Sequence, residues 1–161
     1  MSSYEVGAGD FVGVISDTHG LVRPGALAAL QGSGLIIHAG DVGGPGVLEE
    51  LGRVAPVVAV RGNNDRGAWA EALAEYEGLE VNGTFLYVLH DLKELDIAPA
   101  AAGFRVVISG HSHKPLVEER RGVLYLNPGS AGPRRFKLPV TVARLNVAGA
   151  DASAEIVHLD V

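Results

Sequence analysis

Five times between Phe11 and His113 a short apolar run halts at a cluster of Asp, Asn, His and Gly. Phe11 to Ser16 runs into Asp17-Thr18-His19-Gly20, Leu35 to Ala39 into Gly40-Asp41, and Val57 to Val60 into Gly62-Asn63-Asn64-Asp65. Phe85 to Leu89 then runs into His90-Asp91, and Val106 to Ser109 into Gly110-His111-Ser112-His113. Runs of this length, rich in Val and Ile, read as buried strands. Between the first four lie helix-like stretches: Pro24 to Gln31, Pro45 to Val54 with Pro in its first turn, and Arg66 to Glu77 behind Asp65 as N-cap. Strand, helix, strand repetition implies an α/β sheet. After His113 the texture changes to Val123–Leu126, a turn Asn127-Pro128-Gly129-Ser130, then Val140 to Asn146 and Ala154 to Leu159, an antiparallel continuation with little helix. The expected organisation is one domain over residues 1–161, with 1–10 a loose N-terminal segment and Pro99 to Gly103 a short packing helix or turn.

Composition narrows the chemistry. A chain of 161 residues that is 47% apolar and 20% charged closes a core without staples. It has no Cys, so disulfides, thiol nucleophiles and thiolate metal sites are excluded, and any metal must sit on nitrogen and oxygen. The net charge is −6 and no basic run exceeds the pairs Arg120-Arg121 and Arg134-Arg135, which leaves no footprint for a long nucleic acid. No apolar run approaches the ~20 residues that span a bilayer, and no basic-then-apolar leader opens the chain. The expectation is a cytoplasmic protein that acts on a small partner, away from membranes.

In open α/β sheets, ligands bind beyond the carboxyl ends of the strands, where all five clusters fall. Asp17 and His19 are two residues apart, a spacing that puts both side chains on one face of an extended backbone, and His111 and His113 repeat it. Asp41, Asn63 and His90 add one donor each, giving seven candidate metal ligands: Asp17, His19, Asp41, Asn63, His90, His111 and His113. Seven exceeds one tetrahedral site but suits two metals about 3.5–4 Å apart sharing a carboxylate, with Asp41 the natural bridge. Two divalent ions on two carboxylates and neutral donors leave a formal charge of about +2, or about +1 with a bridging hydroxide. That charge attracts a phosphate locally on an otherwise negative chain.

The order Asp-x-His, Gly-Asp, Gly-Asn-x-Asp, His, Gly-His-x-His over residues 11 to about 130 resembles the calcineurin-like metallophosphoesterase superfamily. The small size, Ser16-Asp17-Thr18-His19-Gly20 and Asn127-Pro128-Gly129-Ser130 resemble its compact bacterial and archaeal phosphodiesterase branch. The resemblance implies a two-sheet sandwich flanked by helices, an α/β/β/α fold. It implies one metal on Asp17, His19, Asp41 and His113 and a second on Asp41, Asn63, His90 and His111. The two divalent ions would be Mn, Fe, Zn or Ni, with manganese among the first to test. The implied activity is hydrolysis of small phosphodiesters by in-line attack of a metal-bridging hydroxide. Asp41, Asn64 and Asp65 would act in catalysis, and Asn63, Asn64 and Arg66 on substrate. Relatives often form dimers or tetramers, so a homo-oligomer is an open expectation.

Two departures stand out. Asn64 occupies the place where many members carry a His able to protonate the leaving group, and Asn has no titrating proton. Asp91 follows His90 where Gly is usual and adds a carboxylate. Two alternatives to a phosphodiesterase are a non-catalytic scaffold, whose mark is eroded ligands, and a phosphomonoesterase or nuclease. Every ligand position is filled here, and the chain has no room for a cap domain. His38 and His158 read as structural, with His38 also placed to support Asp41 from behind. Arg61, Arg134 and Arg135 read as surface residues that could meet substrate.

Overall fold

Residues 1–161 are described by the computed structural model. In chain order the elements are β1 (Ser2–Tyr4), β2 (Phe11–Ile15), α1 (Pro24–Leu30), β3 (Ser33–His38), α2 (Pro45–Gly52), β4 (Val57–Ala59), α3 (Ala68–Glu71), β5 (Tyr76–Val81) and β6 (Thr84–Leu89). A 3-10 turn (Leu92–Glu94), β7 (Val106–Ile108), β8 (Leu116–Arg120), β9 (Val123–Asn127), β10 (Thr141–Ala148) and β11 (Asp151–His158) follow. They form a six-stranded sheet, β1-β5-β6-β7-β9-β8, and a five-stranded sheet, β11-β10-β2-β3-β4.

Period-two alternation sets the layers. Val12, Val14, Leu35 and Ile37 face Leu86, Val88, Val106 and Ile108 in one buried cluster between the sheets. Burying each such side chain stabilises the sandwich by roughly 1.5–3 kcal/mol. The intervening Ile15 and Ile36 turn outward, where Ala26 and Leu30 of α1 and Val47 and Leu51 of α2 cover them. Gly13 is bare for this reason: a Cβ there would come within 2.7 Å of Leu30 Cδ2 and hold α1 off the sheet. On the far side of the other sheet, Tyr87, Leu89, Val107 and Val123 pack under Leu92, Leu95, Ile97 and Phe104, so this layer is the 3-10 turn and the loop after it. No helix is long and apolar enough to cross a membrane.

Three sequence expectations need correction. The helix expected over Arg66 to Glu77 shrinks to α3, preceded by Gly67 rather than capped by Asp65, and the chain is strand again from Tyr76. The two-residue turn Asn82-Gly83, both at positive φ, pairs β5 with β6 as a hairpin, and those pairings override the helical pattern of its first residues. The N-terminal segment is not loose throughout, because Ser2–Tyr4 pairs in parallel with β5. The region after His113 is antiparallel except where β9 lies parallel to β7 and at the parallel bridge of Ser130 with Val140, and it contains β8, which the sequence did not announce.

Candidate metal centre

The parallel strands β2, β3 and β4 of one sheet and β6 and β7 of the other end at a common edge. The loops leaving them carry every expected ligand. Asp17 N–H donates to the Gly40 carbonyl and His19 N–H to that of Asp41, which zips the first two loops together. The sheets are tied across the site by His111 N–H, which donates to Asp17 Oδ2 at 3.0 Å. Close approach needs bare backbone at two places. A Cβ on Gly62 would collide with Asp41, and one on Gly40 would fall within 2.6 Å of His90 Nδ1.

The side chains of Asp17, His19, Asp41, His90 and His113 converge. Asp17 Oδ1 lies 3.4 Å from His113 Nε2, 3.9 Å from His90 Nε2 and 4.0 Å from His19 Nε2. Asp41 Oδ2 lies 3.3 Å from His90 Nε2 and 3.7 Å from His19 Nε2. Within this cluster, Asp17, His19 and His113 form one tight group and Asp17, Asp41 and His90 another. Asn63 and His111 stand apart at the exposed rim, where His111 Nδ1 meets Asn63 Oδ1 at 3.2 Å.

The convergence does not come from extended backbone. Asp17, His19, His111 and His113 all sit at positive φ, between +48° and +68°, as does Asp41 at +55°. For residues other than Gly this conformation is uncommon and costs on the order of 1 kcal/mol or more each. It persists because the surroundings hold it. Ser130 Oγ donates to the Asp17 carbonyl, and the Asn127 amide donates to the Gly110 carbonyl and to Ser112 Oγ.

The chemistry of the donor set calls for a cation. His90 Nδ1 is 2.7 Å from the Ala39 carbonyl, which can only accept, so Nδ1 carries a proton and Nε2 is the nitrogen left for a metal, or for a second proton in its absence. Nε2 faces carboxylate oxygens of Asp41 and Asp17. Asp17 Oδ1, His19 Nε2 and His90 Nε2 are buried and have no hydrogen-bond partner. Two buried carboxylates facing imidazole nitrogens need a positive charge among them, a proton on His90 or a metal ion, so these residues fit a divalent metal with nitrogen and oxygen ligands. Burial works against ionisation of Asp17, but hydrogen bonds from His113 and Ser16 and the charge of His90 hold its carboxyl below the usual range. Asp41 is likewise opposed by burial, yet His90 and the Asn64 amide keep it well below that range. Burial also works against a proton on His90, and the Asp41 carboxylate, the Ala39 carbonyl and Asp17 overcome it to raise the imidazole.

The neighbouring residues take clear places. Asp65, buried, accepts from the backbone N–H of Val42, Gly43 and Gly62 at 2.9–3.2 Å, so it clamps the Asp41 loop to the Asn63 loop. Asn64 clasps Asp41, its backbone N–H on Oδ1 and its amide on Oδ2. Arg66 is exposed, and Arg61 pairs with Glu75. Asp91 caps the 3-10 turn through the Lys93 N–H, with its other oxygen 3.8 Å from His111 Nε2. A cleft of about 190 Å³ opens beside His90, Asn63 and His111, whereas a larger hollow of about 480 Å³ near Phe11 and Leu145 lies at the opposite end of the strands.

One support was only an alternative in the sequence. Thr18 Oγ1 donates to the Val42 carbonyl, so against His38 Nε2, 3.0 Å away, it can only accept. Gly40 N–H donates to His38 Nδ1. His38 is thus a neutral, wholly buried brace between the Asp17–His19 loop and the Gly40-Asp41 loop, and burial pushes its pKa down to about 4. Its place three residues before Asp41 was the only signal.

The family model of the calcineurin-like phosphoesterase superfamily domain matches residues 11–150. The chain belongs to this superfamily. It is 36% identical over 158 residues to a probable metallophosphoesterase of Methanothermobacter thermautotrophicus, covering 91% of each chain. It is 30% identical over 161 residues to the phosphodiesterase YfcE of Escherichia coli K12, covering 81% of this chain and 84% of that one. The solved structure of Vps29 of Entamoeba histolytica complexed with Zn²⁺ shares the fold, with a TM-score of 0.70 at 22% identity over 93% of this chain and 99% of that one. Membership makes the chain a phosphoric ester hydrolase of the metallophosphoesterase type, and its two sheets are the superfamily's sandwich.

Proposed function

We propose that the chain is a phosphodiesterase that acts on small diesters with two divalent ions. One ion would be held by Asp17, His19, Asp41 and His113, and the other by Asp41, Asn63, His90 and His111. The observation that carries this is the set of buried carboxylate and imidazole atoms without hydrogen-bond partners at the strand ends. Asp41 Oδ2 approaches both His19 and His90, one from each set, which suits a bridging role. The relative named phosphodiesterase supports the substrate class.

Bound divalent ions supply Lewis acidity toward a phosphoryl oxygen and make water a better nucleophile near neutral pH. The chain's own residues prepare the site. Asn64 holds Asp41 through two hydrogen bonds and so fixes the carboxylate without a proton to give. Asp65 locks the loops that bear Asp41 and Asn63, which makes it a positioning residue; its carboxylate is engaged by three backbone N–H groups. The Asn63–His111 pair stands at the open rim, where a substrate arrives and where a turn of either side chain releases its partner.

The Vps29 likeness shows fold alone, so fold does not separate an enzyme from a scaffold; the filled donor set favours the enzyme. Metal analysis after loading with Mn²⁺ or Zn²⁺, with hydrolysis of bis(p-nitrophenyl) phosphate, tests the proposal. The expectation is two ions per chain and a fall in kcat/KM of at least ~10²-fold in Asp41→Asn, since even outer-layer changes at metal sites cost up to that much. One ion per chain at saturation, or a fully active Asp41→Asn, overturns it.

A further inference from the structure

The loop between Ser130 and Val140 has a composition foreign to the rest of the chain. Pro133-Arg134-Arg135-Phe136-Lys137 packs three cations and an aromatic ring into five residues of a protein whose net charge is −6. All five are exposed, Phe136 to 90%. Carboxylates pair with Arg61, Arg105, Arg120 and Arg144 elsewhere, but none lies within 4.0 Å of Arg134, Arg135 or Lys137.

Both ends of the loop are fixed to the floor of the metal centre. Ala131 N–H donates to the Ser16 carbonyl, and Thr141 N–H to that of Ser130, closing the loop on itself. Gly132 is pressed against the Asp17 and Thr18 carbonyls with no space for a Cβ, and Arg23 Nη2 donates to the Gly132 carbonyl at 3.2 Å. Phe136 is four residues beyond Gly132, a reach of at most ~14 Å from that anchor on the Asp17 and Thr18 carbonyls. At the tip, Leu138 N–H donates to the Arg135 carbonyl, and Phe136 occupies the second position of this turn at φ +54°, where Gly or Asn is usual. A bulky ring held outward in a strained turn contributes nothing to the core, and such strain marks functional loops.

We propose that residues 133–137 are a substrate arm: Phe136 stacks on an aromatic ring in one ester arm of the diester while Arg134 and Arg135 hold negative charge beside it. Arg134 Nε donates to the Leu138 carbonyl at 3.3 Å, which keeps this guanidinium at the turn that bears Phe136; an aromatic ring beside cations suits a base and a phosphate together, so the substrate class is a nucleotide-type diester carrying a base. A polymer is disfavoured because the cations stop at this loop. The inference rests on the phosphodiesterase proposal and assigns the specificity of that same site.

The test compares two esters with one leaving group: the p-nitrophenyl ester of thymidine 5′-monophosphate and methyl p-nitrophenyl phosphate, with the Mn²⁺-loaded full chain. Wild type should favour the thymidine ester. Phe136→Gly, which adopts φ +54° without strain and so does not endanger folding, should collapse the ratio of kcat/KM values by about tenfold or more, mainly through KM, as expected for lost base stacking. Phe136→Trp should preserve the ratio, and Arg134→Gln with Arg135→Gln should lower it. Hydrolysis with the same ratio in wild type and Phe136→Gly overturns the substrate arm and leaves the phosphodiesterase proposal standing. No hydrolysis of either ester by wild type overturns both.

Discussion

Replacing His38 with Asn removes one titrating group from the support of the metal centre while keeping an acceptor near the Gly40 N–H. At neutral pH the variant loses the donor to Thr18 and part of the buried ring, a cost of about 2–3 kcal/mol. Wild type has a different liability. His38 is wholly buried and its pKa is lowered from 6.5 to about 4. Between those values the unfolded chain binds a proton that the folded chain refuses, so stability falls as pH falls, by about 1.4 kcal/mol per unit. From pH 7 to pH 4.5 the loss from this residue is therefore on the order of 2.5 kcal/mol, and Asn does not suffer it. Asp17 and Asp41 act in a separate window: their carboxyls are lowered from 3.8, so the stability they lend is lost only as pH falls below about 4. Urea denaturation of chelator-treated wild type and His38→Asn across that range should show the gap between them shrinking to about zero near pH 4.5. Groups common to both chains cancel in the difference. A gap that stays constant with pH would refute the neutral, doubly engaged imidazole and the tautomer deduced from Thr18 and Gly40.

Asn64→His should raise kcat/KM for diesters with poor leaving groups by up to the ~10²-fold typical of general acid catalysis and change activated aryl diesters little, because Asn64 lies beside Asp41 with no titrating proton; a Brønsted series over leaving groups reads this directly. Metal uptake should release protons. The His90 pKa is raised by Asp41, so its proton stabilises the metal-free chain below pH 6.5 and that contribution is lost as pH rises through the raised value. Calorimetry in buffers of different ionisation enthalpy should therefore show proton release near pH 6.5 that shrinks at higher pH, and buffer-independent heats would contradict it.

The layering of the fold was legible because the strand interiors alternate strictly, as Val12, Val14 against Ile15 and Leu35, Ile37 against Ile36 show. The donor clusters were legible because they interrupt those runs abruptly. What escaped notice depended on backbone pairing rather than composition. Ser2–Tyr4 has no apolar pattern of its own and is a strand only because β5 offers it an edge. The stretch before Tyr76 looks helical, and the Asn82-Gly83 hairpin beyond it sets the strand. His38 was read as a core histidine or a support behind Asp41, and Asp65 as an N-cap or a catalytic residue; which holds depends on partners that only the folded loops bring into range, Thr18 and Gly40 for the one and three backbone N–H groups for the other.

Asp17, His19 and His113 come together for a different reason than the two-residue spacing of Asp17 with His19 and of His111 with His113 suggests. In a strand, residues two apart share a face; here both members of each pair turn to positive φ, which brings Asp17, His19 and His113 to one point while His111 meets Asn63 at the rim. Those conformations are unfavourable singly, and the facing acceptors they create are more so. The fold offsets this through Asp65, His38, Asn127 and Ser130, whose hydrogen bonds fix the loop backbones from outside the donor cluster. A divalent ion held by Asp17, Asp41 and His90 would take the place of the His90 proton as the positive charge between the two carboxylates, in a site that the hydrogen-bonded loops keep in place. Asn63 and His111 lie outside this braced cluster, paired with each other at the rim, and so the inner donors should fill first and the rim donors second.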